Sequence, residues 1–224
     1  MMRMESGGAY TAERAAALSG IPRSTVHYWA TKRYLIPSVS AERVKLWSYA
    51  DLLGLRTIYW LRRPKRARDG YEIRPTTMRA VRHALQKLRD LDLDLFEFGR
   101  PSIAVDIAGE VYITPPGAAP RTPNGQVVSA EVIDLIAPFS SLEGGRGPDL
   151  REPSTFVRIL PRKLSGEPHV VDTRIEAQAL YALECRGFSM DKIARLYPVL
   201  DQAAIEDALR VERQLSANLT LQAA

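Results

Sequence analysis

The chain has 224 residues, 46% of them hydrophobic and 25% charged, with a formal net charge of +5; this suits one or two globular domains with cores of their own. No apolar run approaches the roughly 20 residues of a membrane-spanning helix, and no basic stretch leads into an apolar secretory core. Cys185 is the only cysteine, which excludes an internal disulfide and a cysteine-based zinc cluster and fits a reducing cytoplasm.

The charge is unevenly distributed. Residues 1–90 hold 18 Lys+Arg against 7 Asp+Glu, a balance of +11, and residues 91–224 hold the remaining 13 against 19, or −6. A basic half supplies salt-dependent affinity for nucleic acid through counterion release, whereas an acidic half suits a protein partner.

Met1 to Gly8 is expected to be a disordered lead-in. Ala12, Ala15, Ala16, Ala17 and Leu18 predict a short helix with a small-residue face. Gly20 suits a tight turn, because glycine enters positive φ without steric cost, and Pro22 fits the first turn of a second helix. Ile21, Val26 and Trp29 recur at helical spacing and form its inner stripe. Its outer side shows Arg23, Ser24, His27 and Tyr28, followed by Lys32 and Arg33. Helix, glycine turn and second helix with a cationic face read as a helix-turn-helix, whose second helix enters the DNA major groove. Leu35-Ile36-Pro37 ends that helix. Arg43-Val44-Lys45-Leu46-Trp47 alternates cation and apolar residue as a half-exposed strand does, and Ser48 is placed to cap a third helix through Leu52, Leu55, Ile58 and Leu61.

With Tyr10-Thr11, the Gly20-Ile21 turn, Thr25-Val26, Tyr28-Trp29 and Trp47-Ser48-Tyr49-Ala50-Asp51-Leu52, the first quarter of the chain resembles the MerR-type winged-helix family. His27 stands where that family often has arginine, and Tyr34 where it often has glycine. The resemblance implies DNA binding, with Arg23, Ser24 and His27 at base edges and Thr25 on the same helix. Tyr28, Lys32, Arg33, Arg43 and Lys45 would hold phosphates.

Arg62-Arg63-Pro64-Lys65-Arg66-Ala67-Arg68 is a cationic cluster suited to phosphates or to a solvated loop. Thr76 or Thr77 is placed to cap a helix through Val81, Leu85 and Leu88, with Met78, Arg79, Arg82 and Lys87 around it. This helix stops near Arg89, about two heptads, too short for a stable isolated coiled coil, so a homodimer, left open as an alternative assembly, would need another interface. Asp90 to Phe98 alternates acidic and apolar residues. As cation ligands, Asp90, Asp92, Asp94 and Glu97 lack the usual turn glycine, and a solvated acidic face is the simpler reading. Ser102–Ile107 and Glu110–Thr114 flank Ala108-Gly109 as a hairpin would. Pro115 to Gly125 reads as a loop, and 126–139 as a strand followed by a helix or a second strand.

Ser140 to Pro153, with Gly144-Gly145-Arg146-Gly147-Pro148, has the composition of a flexible linker. Thr155–Ile159 and Leu164–Ile175 then read as two short strands around a turn. One helix carries Ala177, Leu180, Tyr181 and Leu183 inward and ends at Arg186-Gly187. Ser189 caps a second with Ile193, Ala194 and Leu196, and Asp201 a third with Ile205, Leu209, Val211, Glu212 and Leu215. Cys185 is expected to be buried on its helix, and His169, beside Pro168, to be a turn residue. Gly166, Pro168, Thr173-Arg174-Ile175, Gly187-Phe188-Ser189, Ile193, Tyr197-Pro198 and Ala208-Leu209 make residues 155–215 similar to the DUF 433 family found in bacterial antitoxins. Asp172 stands where that family commonly has glycine. The resemblance implies a three-helix module whose usual partner is a PIN-like toxin ribonuclease, and the combination with a winged helix looks like the longer, VapB-type antitoxins that repress their own operon. Arg174 is read either as a strut to Glu176 or Glu206 or as a cation facing the toxin's acidic site; Arg210 and Arg213 are further toxin-facing candidates.

The expected architecture is mainly α with small β elements (α+β): a winged helix with linking helix at 9–90, a small β-containing segment at 91–139, a linker at 140–154 and an antitoxin-like domain at 155–224. His27, His83 and His169 join no nucleophile or phosphate loop, so neither catalysis, metal nor cofactor is expected. The leading functional reading is an antitoxin that binds operator DNA and a ribonuclease toxin. The alternatives are a stand-alone MerR-type regulator with a ligand-sensing second half, and an adaptor contacting only protein.

Overall fold

The computed structural model describes residues 7–66, 72–90, 102–106, 110–114 and 130–220. The expected lead-in Met1 to Gly8 (apart from its last two residues), the acidic–apolar run after Asp90 and the loop from Pro115 to Gly125 lie outside them. The fold mixes α-helices with small antiparallel sheets, the α+β class expected. No helix among the described residues is long and apolar enough to cross a membrane.

Helix α1 (Ala12–Ser19) starts at Thr11, whose hydroxyl accepts the Arg14 N–H at 3.2 Å, an N-cap contact. It stops at Gly20, which takes φ 74° while its N–H donates to Ala16 O. Helix α2 (Arg23–Thr31) begins one residue after Pro22, which sits at the N-cap. It ends at Lys32 rather than at Leu35-Ile36-Pro37. Arg33 turns the chain at φ 56°, with its N–H bonded to Ala30 O and the Tyr34 N–H to Trp29 O. This is a Schellman closure with arginine where glycine is usual. The strand expected at 43–47 is reduced to single bridges, Ser40 to Leu46 and Tyr10 to Trp47, and Val44 is 62% exposed. Helix α3 (Tyr49–Leu61) opens on a capping box: Asp51 accepts the Ser48 N–H, and Ser48 Oγ accepts the Asp51 N–H. Asp51 also accepts the Ser38 N–H at 2.8 Å, tying the return loop to the helix start.

Strands β1 (Lys65–Arg66) and β2 (Glu72–Ile73) pair antiparallel, and α4 (Met78–Asp90) follows. Thr77 accepts the Ala80 N–H at the start of α4. Strands β3 (Ser102–Asp106), β4 (Val111–Thr114) and β5 (Ala130–Asp134) form an antiparallel sheet in the order β4-β3-β5. The expected hairpin is present as β3 and β4, and residues 130–134 resolve the ambiguity after 126 in favour of strand. Buried Ile103, Ala104 and Val105 form the centre of the sheet.

The segment read as a flexible linker is instead built into the fold. Strands β6 (Phe139–Ser140) and β7 (Arg146–Gly147) pair antiparallel, and Ser141 Oγ accepts the Gly145 N–H at 2.9 Å inside the turn. Its glycines serve close backbone approach: a Cβ on Gly145 would lie 2.1 Å from Gly20 O, and one on Gly20 would lie 2.3 Å from Gly147 N. The same composition serves mobility or tight packing, and here packing is what the residues make.

Strands β8 (Val157–Arg158) and β9 (His169–Val170) pair around a 3-10 turn at Leu164–Gly166. Helices α5 (Ala177–Cys185), α6 (Met190–Leu196) and α7 (Gln202–Leu219) complete the chain. Gly187 takes φ 82° after α5, and Ser189 Oγ caps α6. Ala177, Leu180, Ile193, Ile205, Leu209, Val211 and Leu215 are buried as expected. Tyr181 and Leu183 are only half-buried, Leu196 is exposed, and Cys185 is exposed rather than buried. His169 is a buried strand residue, not a turn residue: its Nδ1 lies 3.0 Å from Glu167 O, and burial lowers its pKa.

The chain forms two compact units, Leu53–Ile136 and Glu5–Leu52 with Ala137–Ala224. In the second, residues 7–52 share one core with the C-terminal module.

Candidate nucleic-acid interface

The exposed surface of α2 follows from its periodicity. Val26, Trp29 and Ala30 are buried, so Arg23, Ser24, His27, Tyr28 and Thr31 face solvent, with Thr25 half-buried at the edge. Lys32 and Arg33 extend this exposed set past the helix end, while across the return loop Arg43 is exposed and Lys45 half-buried. The sequence-predicted residues at positions 23–33 therefore fall on one continuous solvent-facing surface.

Three contacts organise that surface. Arg23 pairs with Glu13 of α1 at 2.8 Å, both side chains about half exposed. A surface pair of this kind holds its arginine weakly, so the guanidinium is available to another anion. Tyr28 stands edge-on to Tyr34, with ring centroids 6.1 Å apart, and the Lys32 ammonium lies 5.9 Å from the Tyr28 ring. The result is an aromatic base flanked by a cation, able to pack on a sugar-phosphate edge.

Helix α1 is anchored to the C-terminal module by residues that sequence reasoning missed. Arg14 Nε donates to Glu167 at 2.7 Å, and its two terminal nitrogens donate to Glu212 of α7 at 2.8 and 2.7 Å. Exposure is 11% for the Arg14 side chain and 3% for that of Glu212. Burial pushes the Glu167 carboxyl above the usual carboxylate range, opposed by the neighbouring Arg14. The two carboxylates hold the Arg14 guanidinium charged despite its burial. Near the other end of α1, Asn218 donates to Ala17 O at 2.8 Å and to Arg146 O at 2.9 Å, and accepts the Arg146 N–H. One amide thus satisfies a last-turn carbonyl of α1 that the helix leaves open and clamps the β6–β7 hairpin. Tyr10 adds a buried hydroxyl bond to Gly166 O at 2.8 Å. The signal for these roles was weak: Arg14 follows Glu13 on a short helix and looks like a solvated charge.

The three cations assigned to a protein partner behave differently from one another. Arg174 is exposed and makes no hydrogen bond or ion pair among the described residues, so the strut to Glu176 or Glu206 is not formed; Glu206 instead accepts from Gln202. Arg210 pairs with Asp207, whose carboxylate also accepts the Phe156 N–H at 2.9 Å. Arg213 pairs with Glu184, joining α7 to α5. Both arginines keep more than half of their side-chain surface exposed.

Residues 157–210 match the family model described as Protein of unknown function (DUF433), so the chain contains a DUF433 domain spanning β8 to the middle of α7. Searches of curated proteins and of solved structures gave no match.

Proposed function

We propose that this protein is an antitoxin that represses its own operon: α2 reads operator DNA as the second helix of a MerR-like winged helix-turn-helix, and the DUF433 domain captures a PIN-like ribonuclease toxin. The carrying observation is the exposed surface from Arg23 to Arg33, whose helix buries Val26, Trp29 and Ala30 and leaves cationic and hydrogen-bonding side chains outward. Arg23, Ser24 and His27 read base edges; Tyr28, Lys32, Arg33, Arg43 and Lys45 hold phosphates, which fix register. Toxin capture draws support from the DUF433 match, from exposed Arg174, and from the exposed apolar side chains Phe188, Leu196 and Val199 on the same module, because solvent-facing aliphatic and aromatic groups favour a protein partner.

The DNA half is tested by selecting bound sequences from a random duplex pool and titrating the enriched site. Arg23→Ala should cost about 1–3 kcal/mol of discrimination at one base position. Lys32→Ala should weaken all duplexes equally and flatten the salt dependence by about 0.9 in slope. Lack of enrichment, or an Arg23→Ala variant with intact preference, removes the reading helix from the account. The toxin half is tested by a tagged pull-down from the host, with the eluate assayed for RNA cleavage after the chain is stripped away. A bait that recovers no nuclease yet still binds its site leaves a stand-alone regulator.

A further inference from the structure

A second charged surface lies outside the α2 face, on the Leu53–Ile136 unit. Residues 62–89 contain ten Lys+Arg and two Asp+Glu, and α4 has no acidic residue before Asp90. In α4, Arg79, Arg82, His83 and Gln86 are all exposed, at the i, i+3, i+4, i+7 spacing of a single stripe. Val81, Ala84 and Leu85 on the other side are buried, and the helix packs against β4. Among the described residues, Arg79, Arg82 and His83 make no ion pair or hydrogen bond through their side chains. Arg79 also sits in the first turn of the helix, where the macrodipole disfavours positive charge by about 0.3–1 kcal/mol. Internal stability does not account for that placement, whereas an external polyanion does.

The helix itself narrows the class of polyanion. Its apolar side is sealed inside the unit, so it cannot enter a lipid surface as an amphipathic helix does. It carries no Phe, Tyr or Trp on which single-stranded bases would stack, and, among its described side chains at 78–86, no exposed apolar residue of the kind a protein interface buries. Arg79 and Arg82 are separated by about 4.5 Å of helix rise, comparable with the roughly 3.4 Å axial spacing of charges along one DNA strand. We propose that the Arg79–Arg82–His83 stripe of α4 is a second, sequence-independent contact for the backbone of duplex DNA, distinct from the α2 surface.

The test is a titration of the full chain against a random-sequence duplex over a range of salt concentrations. Two phosphate contacts contribute about 1.8 to the slope of log K against log salt, and the Arg79→Ala/Arg82→Ala variant should lose that amount. Arg79→Lys/Arg82→Lys should keep it, because the contact is one of charge. Both positions are exposed and alanine favours helix, so circular dichroism should be unchanged. An unaltered slope in the alanine variant overturns the proposal, as does a loss confined to single-stranded RNA. Lys32→Ala measured in parallel separates the two DNA surfaces: an inert Lys32→Ala beside a flattened alanine variant counts against the α2 reading alone.

Discussion

Arg14 lies between carboxylates 153 and 198 residues further along the chain. Each guanidinium nitrogen has an oxygen within 2.8 Å, which is what makes burial of this charge tolerable. Arg14→Ala would leave Glu167 and Glu212 facing each other without a cation, and removal of one partner from a buried pair costs about 3–5 kcal/mol. The expected result is a large drop in the urea midpoint with little change in the denaturant slope. Arg14→Lys should recover only a minor part of the loss, since an ammonium cannot span both carboxylates in the planar fork geometry. Glu167→Gln should be milder than either, because burial already raises the Glu167 pKa and thereby favours its neutral form. None of this was legible locally, where Glu13-Arg14 resembles any exposed charge pair. The partners that change its meaning arrive only when the chain folds.

At the scale of elements, helix ends were easier to read than their neighbours in space. Gly20 and Gly187 take the left-handed conformation expected of them, and Ser48 and Ser189 cap the helices assigned to them. These signals are local, so a window of a few residues contains their cause. Asp172 adopts φ 58° at the place where glycine is common in the resembling family, and aspartate is among the few residues that accept this region. Arg33 is less comfortable. A left-handed non-glycine residue costs about 1–2 kcal/mol, and glycine there recovers most of that less about 0.5–1 kcal/mol of backbone entropy. Arg33→Gly should therefore stabilise the fold modestly in thermal unfolding while lowering the salt slope for DNA by about 0.9. A variant that gains stability and keeps the slope would take Arg33 out of the phosphate-holding set. The β6–β7 hairpin shows the opposite lesson, since its glycines are consistent with a linker until Gly20 is seen against them.

For the whole molecule, the sequence divides by charge near residue 90, but the compact units divide elsewhere. Residues 5–52 belong with 137–224, joined by the Tyr10–Gly166, Tyr49–Leu150 and Asn218–Ala17 hydrogen bonds and by the Arg14 pairs. Hydrophobic periodicity reports which face of a helix is buried but not which distant segment covers it. A chain ending at Ile136 should consequently lose the α1–α2 structure: the buried faces of Ala15, Ala16, Ala17 and Leu18 would lack much of their cover, and Arg14 would lack both partners. Hydrogen exchange should show α1 amides unprotected in that truncation and protected in the full chain. Persistent protection would mean that residues 7–52 fold without the C-terminal module.

The Asn218 clamp also sets a clock on synthesis. At about 5–20 residues per second, about ten to forty seconds separate the emergence of α2 from that of the amide that closes the base of α1. Throughout that interval the nascent chain has α2 translated while α1 is not yet braced. Synthesis that stops short of residue 218 gives a polypeptide containing every exposed side chain of α2 and lacking the amide that closes the base of α1.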